Sequence, residues 1–270
     1  MNQDPILITG VGKRIGLHLA QTFLGRGIPV IGTFLTERES LVDLSAQGAD
    51  LFFCDFLDEP QIDLLIEKIS TAYSGLRAIV HNASDWMPDP AGSPADTAPG
   101  DVMRRMMQVH VTAPYLINLR LAPLLKATSS SQADIIHVGD YVSGRGSTKH
   151  IAYAASKAAQ DNLTLSFAAR LAPKVKVNSI APALMLFNEH DDAAYREKAL
   201  QKSLLLREGG LNEFQQAVDF LLASQYITGR IQHLDGGRHL TYCWADAANS
   251  CTKIDCYLYV FYIYLKLSRF

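Results

Sequence analysis

Short apolar runs alternate with longer stretches of helical periodicity along most of the chain. The runs occupy residues 6–9, 29–33, 51–54, 78–81, 135–138 and 175–180. Each is apolar on successive positions instead of on alternate ones, the pattern of a strand covered on both faces, and the stretches between them are long enough for crossover helices. Between the first two runs, Ile15, Leu19, Ala20, Phe23 and Leu24 recur at helical spacing, and Gly27 marks the stop. Repeated strand–helix units of this kind predict an α/β fold, a doubly wound parallel sheet in a single domain over residues 1–240. Further helices are expected at 101–126, 153–171 and 214–224. Residues 87–99 are rich in Pro, Asp, Gly and Ser and predict a loop at the carboxyl end of a strand, where open α/β sheets bind ligands.

After Leu240 the alternation stops. The run YLYVFYIYLKL at 257–267 is aromatic and strand-prone, yet shorter than the ~20 residues of a membrane-spanning helix. The atypical C-terminal tail, 241–270, is read as an added edge strand, an oligomer contact or a non-native extension, with no enzymatic role. Composition bears on partners more than on fold. Hydrophobic residues make up 48% of the 270 and charged ones 19%, the balance of a folded enzyme, and a formal net charge of −2 offers no broad attraction to nucleic acid or an anionic membrane. A small ligand is therefore expected. The opening MNQDPILITG has neither the basic nor the long apolar stretch of a secretory leader, so a cytoplasmic location is expected. Cys54, Cys243, Cys251 and Cys256 show no C-x-x-C spacing, and no metal site or disulfide framework is expected.

The segment ILITGVGKRIG at 6–16 places glycines directly after a predicted strand and at a helix start. Gly10 permits a tight turn, Gly16 permits close packing, and the N–H groups around Lys13, Arg14 and Ile15 at the helix N-terminus can receive a pyrophosphate. A site for NAD usually carries an acidic side chain near the end of the second strand. Gly32, Thr33, Phe34 and Leu35 offer none there, which favours NADPH/NADP+. Lys13 and Arg14 add cations close to the phosphates. Arg38 either contacts the 2′-phosphate or is a solvated surface charge, and Glu37 lies farther along the turn. Asp55 ends the third run, as a partner for the adenine amino group or as a strand-terminating cap. Asn82, Ala83 and Ser84 follow the fourth run and are expected to border the cofactor.

Tyr153-Ala-Ala-Ser-Lys157 places a phenol and an ammonium on one helical face. A nearby cation favours the ionised phenol, so Lys157 is expected to lower the Tyr153 pKa from about 10 toward the working range, making it a proton donor. Lys157 can also bond the nicotinamide ribose. Taken with Thr9-Gly10 to Gly16, Asn82-Ala83, Asn178 to Pro182 and the closing Tyr226 to Gly229 and Asp235-Gly236-Gly237, in that order, the chain resembles the short-chain dehydrogenase/reductase family over about residues 5–240. The resemblance implies a Rossmann-type sheet, hydride transfer with a nicotinamide cofactor, Tyr153 as acid, Lys157 as its supporting cation and Pro182 at the cofactor. It also implies a homotetramer assembled through the two long helices, or a homodimer.

Two departures narrow the resemblance. Asp140 stands where ordinary members carry a catalytic serine, thirteen residues before the tyrosine, and Arg14 replaces the usual middle glycine. Both are similar to the pteridine reductase branch, which implies a catalytic set of Asp140, Tyr153 and Lys157, with Arg14 touching both cofactor and pterin. The strings HNASDW, GSTKHIAYAASKAA, VKVNSIAP, LFNEHDD and LDGGRHL carry the likeness to bacterial members that act on dihydromonapterin. The implied reaction is reduction of 7,8-dihydromonapterin to its tetrahydro form, with weaker reduction of dihydrofolate. In such a site the Asp140 carboxylate binds ring N–H donors, Ser84 borders the substrate, and Tyr153 or an ordered water passes the proton. Trp86 occupies the position of an aromatic ring stacked over the substrate, with a core or lid tryptophan as the other reading. His110 replaces a helix asparagine that organises a water, and it either holds that water or is a satisfied core histidine. Pro182-Ala183 replaces Pro-Gly, and residues 184–192 are expected to form a substrate lid, with a plain connector as the other reading of most of them. A general carbonyl or oxoacyl reductase is the competing enzyme, one that a serine at position 140 would have favoured. A nonenzymatic NADPH-binding protein would leave the Tyr153/Lys157 pair without a task.

Overall fold

The computed structural model describes residues 3–90 and 97–241. All six apolar runs are strands: β1 (Ile6–Ile8), β2 (Val30–Phe34), β3 (Asp50–Phe53), β4 (Ala78–His81), β5 (Ala133–Val138) and β6 (Val175–Pro182). A seventh, β7 (Ile231–Leu234), was not evident as an apolar run, because its IQHL sequence lies at a half-buried sheet edge. The sheet is parallel throughout, in the order β3-β2-β1-β4-β5-β6-β7. Strand order reverses between β1 and β4, so the chain leaves these two strands in opposite directions and opens a crevice at their carboxyl ends.

Helices cover both faces: α1 (Arg14–Gly25), α2 (Glu39–Ala46), α3 (Glu59–Ala72), α4 (Pro99–Met107), α5 (Ala113–Lys126), α6 (Ile151–Leu171), α7 (Ala193–Leu200) and α8 (Leu211–Ala223). Because successive strand residues point to opposite faces, each central strand serves two cores. Leu7, Ile79, Ile135 and Val177 pack on α3, α5 and α6 through Ile66, Leu121 and Phe167. Ile8, Val80, Ile136 and Ile180 face the other way, onto Phe23 of α1, Leu44 of α2 and Phe214 of α8. This double burial is why the strands read as unbroken apolar runs.

The helix expected at 101–126 is interrupted. A π-helical turn, Gln108–Thr112, separates α4 from α5. Pro114 has no N–H to give the carbonyl four residues back, at His110, and the wider turn accommodates the missing bond. His110 consequently sits on an irregular piece of backbone at the centre of the molecule. Among the described residues no helix is long and apolar enough to cross a membrane. The readings for residues 91–96, for Cys243, Cys251 and Cys256, and for the tail beyond Thr241 lie outside the described residues. Cys54 is a buried thiol whose pKa is pushed up to about 12, first by burial and then by the charges of Asp55 and Asp58.

Candidate active site

The turn after β1 depends on its glycines. Gly10 has φ +74°, and a Cβ there would stand 3.0 Å from the Ala83 Cα. A Cβ on Gly16 would lie 2.1 Å from the Gly10 carbonyl oxygen, so the first turn of α1 packs directly on the loop. Asn82 holds that loop in place: its side-chain amide donates to the carbonyls of Thr9 (3.0 Å) and Gly10 (2.9 Å). Thr9 Oγ1 returns the link, accepting the N–H groups of Asn82 (3.0 Å) and Ala83 (2.9 Å). Lys13 precedes α1 without a side-chain cap, which leaves the N–H groups of the first turn available to an anion.

Beside this turn lies a cleft of about 430 Å³ at the carboxyl edge of the sheet. It brings together Gly10, Lys13, Arg14, Ile15, Asp55, Asn82, Ala83 and Ser84, as expected, while Gly16 packs beneath them. Arg38 also lines it, exposed and lying against Gly12. No acidic side chain from the end of β2 lines the cleft among the described residues; Thr33, Phe34, Leu35 and Thr36 do. Asp55 does two things at once: Oδ1 caps the turn by accepting the Leu57 N–H at 2.9 Å, and the residue faces the cleft. Arg105 of α4 and Asp85 complete the wall as an ion pair. Neither carries a local signature in the sequence: a helix arginine and a loop aspartate look like ordinary surface charges until the fold pairs them.

Asp140 follows β5, and Tyr153 and Lys157 share a face of α6. The Tyr153 hydroxyl donates to Asp140 Oδ2 at 2.8 Å, and Asp140 Oδ1 accepts the Val142 N–H at 2.9 Å. Lys157 is buried, with Nζ donating to the Val138 carbonyl (2.8 Å) and Gln160 Oε1 (3.4 Å), 5.8 Å from the centre of the Tyr153 ring. The expected lowering of the phenol pKa is corrected here. Burial first, then the charge and hydrogen bond of Asp140, hold Tyr153 far above the usual tyrosine value. The i, i+4 pattern could not show that a carboxylate approaches the phenol more closely than the ammonium does. Burial also raises the Asp140 carboxyl, against the opposing pull of the Val142 N–H, Tyr153, Lys157 and Arg238. Lys157 is lowered to about 8 by burial, with Asp140 and Asp161 pulling it back up.

His110 is fully buried and both ring nitrogens have protein partners, the satisfied core histidine of the two expected readings. Burial, then the Lys157 charge, push its pKa down to about 2. Trp86 is not a core residue. It is 61% exposed and its ring leans on His150 with centroids 4.3 Å apart, outside the lining of the cleft. The Arg14 guanidinium reaches across to the expected lid, donating to Asn188 Oδ1 (2.8 Å) and the Leu186 carbonyl (2.9 Å). Pro182 is the buried last residue of β6 and does not line the cleft. Near Lys157 runs a buried polar chain with no signature in the spacing of its residues: His81 Nε2 to Asn118 Oδ1 (2.7 Å), Asn118 Nδ2 to His137 Nε2 (3.2 Å), and His137 Nδ1 to Thr164 Oγ1 (2.7 Å). Burial lowers the first of these histidines to about 4 and the second well below its usual value.

A family model described as enoyl-(acyl carrier protein) reductase matches residues 10–239. The chain is 51% identical over 236 residues to the dihydromonapterin reductase of Klebsiella pneumoniae, covering 87% of this chain and 97% of the relative. Against the dihydromonapterin reductase of Citrobacter koseri the identity is 52%, with the same coverage. Among solved structures, the FolM alternative dihydrofolate reductase 1 of Brucella canis, complexed with NADP, superposes with a TM-score of 0.77 at 26% identity, over 89% of this chain and 96% of that one.

Proposed function

The chain belongs to the short-chain dehydrogenase/reductase family, and from that membership we infer that it reduces a dihydropterin, 7,8-dihydromonapterin to the tetrahydro form, with NADPH, and dihydrofolate more slowly. The observation that carries this reading is the hydrogen bond from Tyr153 to Asp140, which sets a carboxylate where a carbonyl reductase needs a donor to its substrate oxygen. The dihydromonapterin reductases it matches, and the NADP-bound reductase it superposes on, support the same substrate and cofactor.

The residues present fit the dinucleotide. A Cβ at Gly10 would press on Ala83, the N-terminus of α1 is uncapped, and Lys13, Arg14 and Arg38 line the cleft with no acid at the end of β2. We assign the phosphates to Gly10–Ile15, the adenosine side to Asp55 and Arg38, and the nicotinamide side to Asn82, Ala83, Ser84, Tyr153, Lys157 and Pro182. When bound, NADPH supplies the hydride.

The chain supplies the proton and the grip. One Asp140 oxygen is committed to the Val142 N–H, so Oδ2, now holding the phenol, is the one a ring N–H can reach. A substrate N–H arriving at Oδ2 competes with the phenol and turns the Tyr153 proton toward the reacting ring nitrogen. Lys157, held under the tyrosine ring by the Val138 carbonyl, offsets the negative charge left as that proton departs. Trp86 stacks on the pterin after leaving His150, and Arg14 bonds substrate and cofactor by exchanging its lid contacts.

Residues 1–240 form the catalytic unit in this reading, located in the cytoplasm and paired or tetrameric through α5 and α6, whose Tyr115 and Leu165 are exposed. Following NADPH oxidation with dihydropterins, dihydrofolate and simple ketones tests it. Turnover of dihydropterins by the full chain, retained when it ends after Leu240, is expected; failure with every dihydropterin defeats the proposal.

A further inference from the structure

We propose that His110 sets substrate specificity by orienting the Ser84 hydroxyl, so that Ser84 offers an acceptor to the substrate and not a donor. This rests on the dihydropterin reading and adds a residue to it. The argument is one of proton positions. Asp85 directs a peptide N–H at His110 Nε2, 3.2 Å away, and a peptide N–H can only donate. Nε2 therefore carries the lone pair, and in a neutral imidazole the proton lies on Nδ1. That proton goes to Ser156 Oγ at 2.8 Å, and Ser156 passes its own to the Tyr153 carbonyl at 2.7 Å. The ring is fixed at both ends, and its edge rests on Tyr153 with centroids 5.4 Å apart.

The Ser84 hydroxyl, 2.8 Å from Nε2, must then donate to it. Its other acceptors are much the poorer partners: the Asp85 carbonyl at 3.4 Å, and the Tyr153 phenol oxygen, which the Ser84 side chain also faces but less closely than His110. With its proton turned inward, Ser84 faces the cleft with lone pairs only. Asp140 nearby is also an acceptor, and the Tyr153 proton points at Asp140. The substrate edge therefore meets an array of acceptors, which suits a ring bearing N–H and amino groups and disfavours a simple ketone, whose oxygen can only accept. His110 is a positioning residue: its effect passes through Ser84.

Two readouts test this, the KM for a dihydropterin and the dissociation constant of a fully oxidised pterin from the NADP+ complex, which needs no turnover. Ser84→Ala should raise both roughly 3- to 10-fold, the worth of one lost hydrogen bond. His110→Leu should do the same with the NADPH KM within about twofold of the parent, and His110→Leu in the Ser84→Ala background should add nothing further. His110→Asn, whose amide oxygen can still take the serine proton, should restore binding to within about threefold of the parent and covers the case in which the leucine variant does not fold. Additive losses in the double variant, or an unaltered pterin affinity in Ser84→Ala, overturn the proposal. If the parent binds oxidised pterin in a Ser84-dependent way yet reduces no dihydropterin, the inference stands and the assigned reaction falls. If it binds no pterin, both fall.

Discussion

Replacing Asp140 by asparagine keeps the size of the side chain and removes its charge, which separates the carboxylate's chemistry from its packing. In the parent, Oδ1 accepts the Val142 N–H at 2.9 Å and Oδ2 accepts the Tyr153 proton at 2.8 Å. In Asp140→Asn the amide oxygen keeps the Val142 bond, and the NH₂ is left facing the phenol and the substrate. A ring N–H that met a carboxylate now meets a donor. A hydrogen bond to a charged group contributes about 1.5–3 kcal/mol, which at about 1.4 kcal/mol per tenfold corresponds to a loss of roughly 10- to 150-fold in kcat/KM for the dihydropterin. Ketone turnover, which benefits from a donor, should fall much less or rise. The pH profile moves as well. Lys157, lowered to about 8 by burial, is held up in part by the Asp140 charge. In the parent, kcat/KM should decline as pH rises through about 8 and the ammonium is lost; in the variant that alkaline limb should lie at lower pH. Tyr153, held far above its usual value, stays protonated throughout and does not set the limb. Steady-state kinetics between pH 6 and 10 on both substrates measures all of this. A variant within threefold of the parent on dihydropterin, with an unmoved alkaline limb, would refute the role given to Asp140.

Arg38→Ala should raise the KM for NADPH about tenfold and leave that for NADH nearly unchanged, since only one cofactor has a 2′-phosphate to lose; equal rises would place Arg38 elsewhere. His81, His110 and His137 are buried and neutral, lowered to about 4, about 2 and well below the usual value respectively. Their native pKa values lie below the unfolded one near 6.5, so the unfolded chain takes up protons first and stability falls as pH drops through 6.5. By pH 5.5 the three together cost about 4 kcal/mol. Asp134, Asp140 and Asp161, all raised by burial, act in the opposite sense. Urea unfolding at pH 7 and 5.5 reads the slope, and His137→Gln should reduce it by about one proton; an unchanged slope would mean that the ring is charged or accessible. Trp86→Ala, removing a side chain that is 61% exposed, should change stability by no more than about 0.5 kcal/mol while raising the dihydropterin KM several-fold. A large stability loss with normal KM would make Trp86 structural.

What the sequence determined by itself was whatever local chemistry dictates. The central strands were legible because burial on both faces leaves an unbroken apolar run; of the two edge strands, β3 kept the apolar Leu51-Phe52-Phe53 although half-exposed, and β7, with IQHL, kept no such run. Gly10 and Gly16 announced the tight turn after β1, because a side chain is strained at φ +74° and a Cβ would stand 2.1 Å from a carbonyl oxygen. The spacing of Tyr153 and Lys157 put them on one helical face, while their catalytic roles, and the choice of Asp140, came from the order of motifs that the chain shares with the family. Tertiary structure alone decided how these groups address one another. It brought Asp140 onto the phenol, reversing the expected pKa direction of Tyr153. It carried Arg38 and Arg105 from distant segments into the cleft, turned Arg14 toward Leu186 and Asn188, and left Trp86 on His150. It also fixed which way the proton of Ser84 points, through partners 26 and 46 residues apart along the chain. Hydrogen-bond direction and desolvation depend on what surrounds a group in space, and periodicity along a chain carries no record of either.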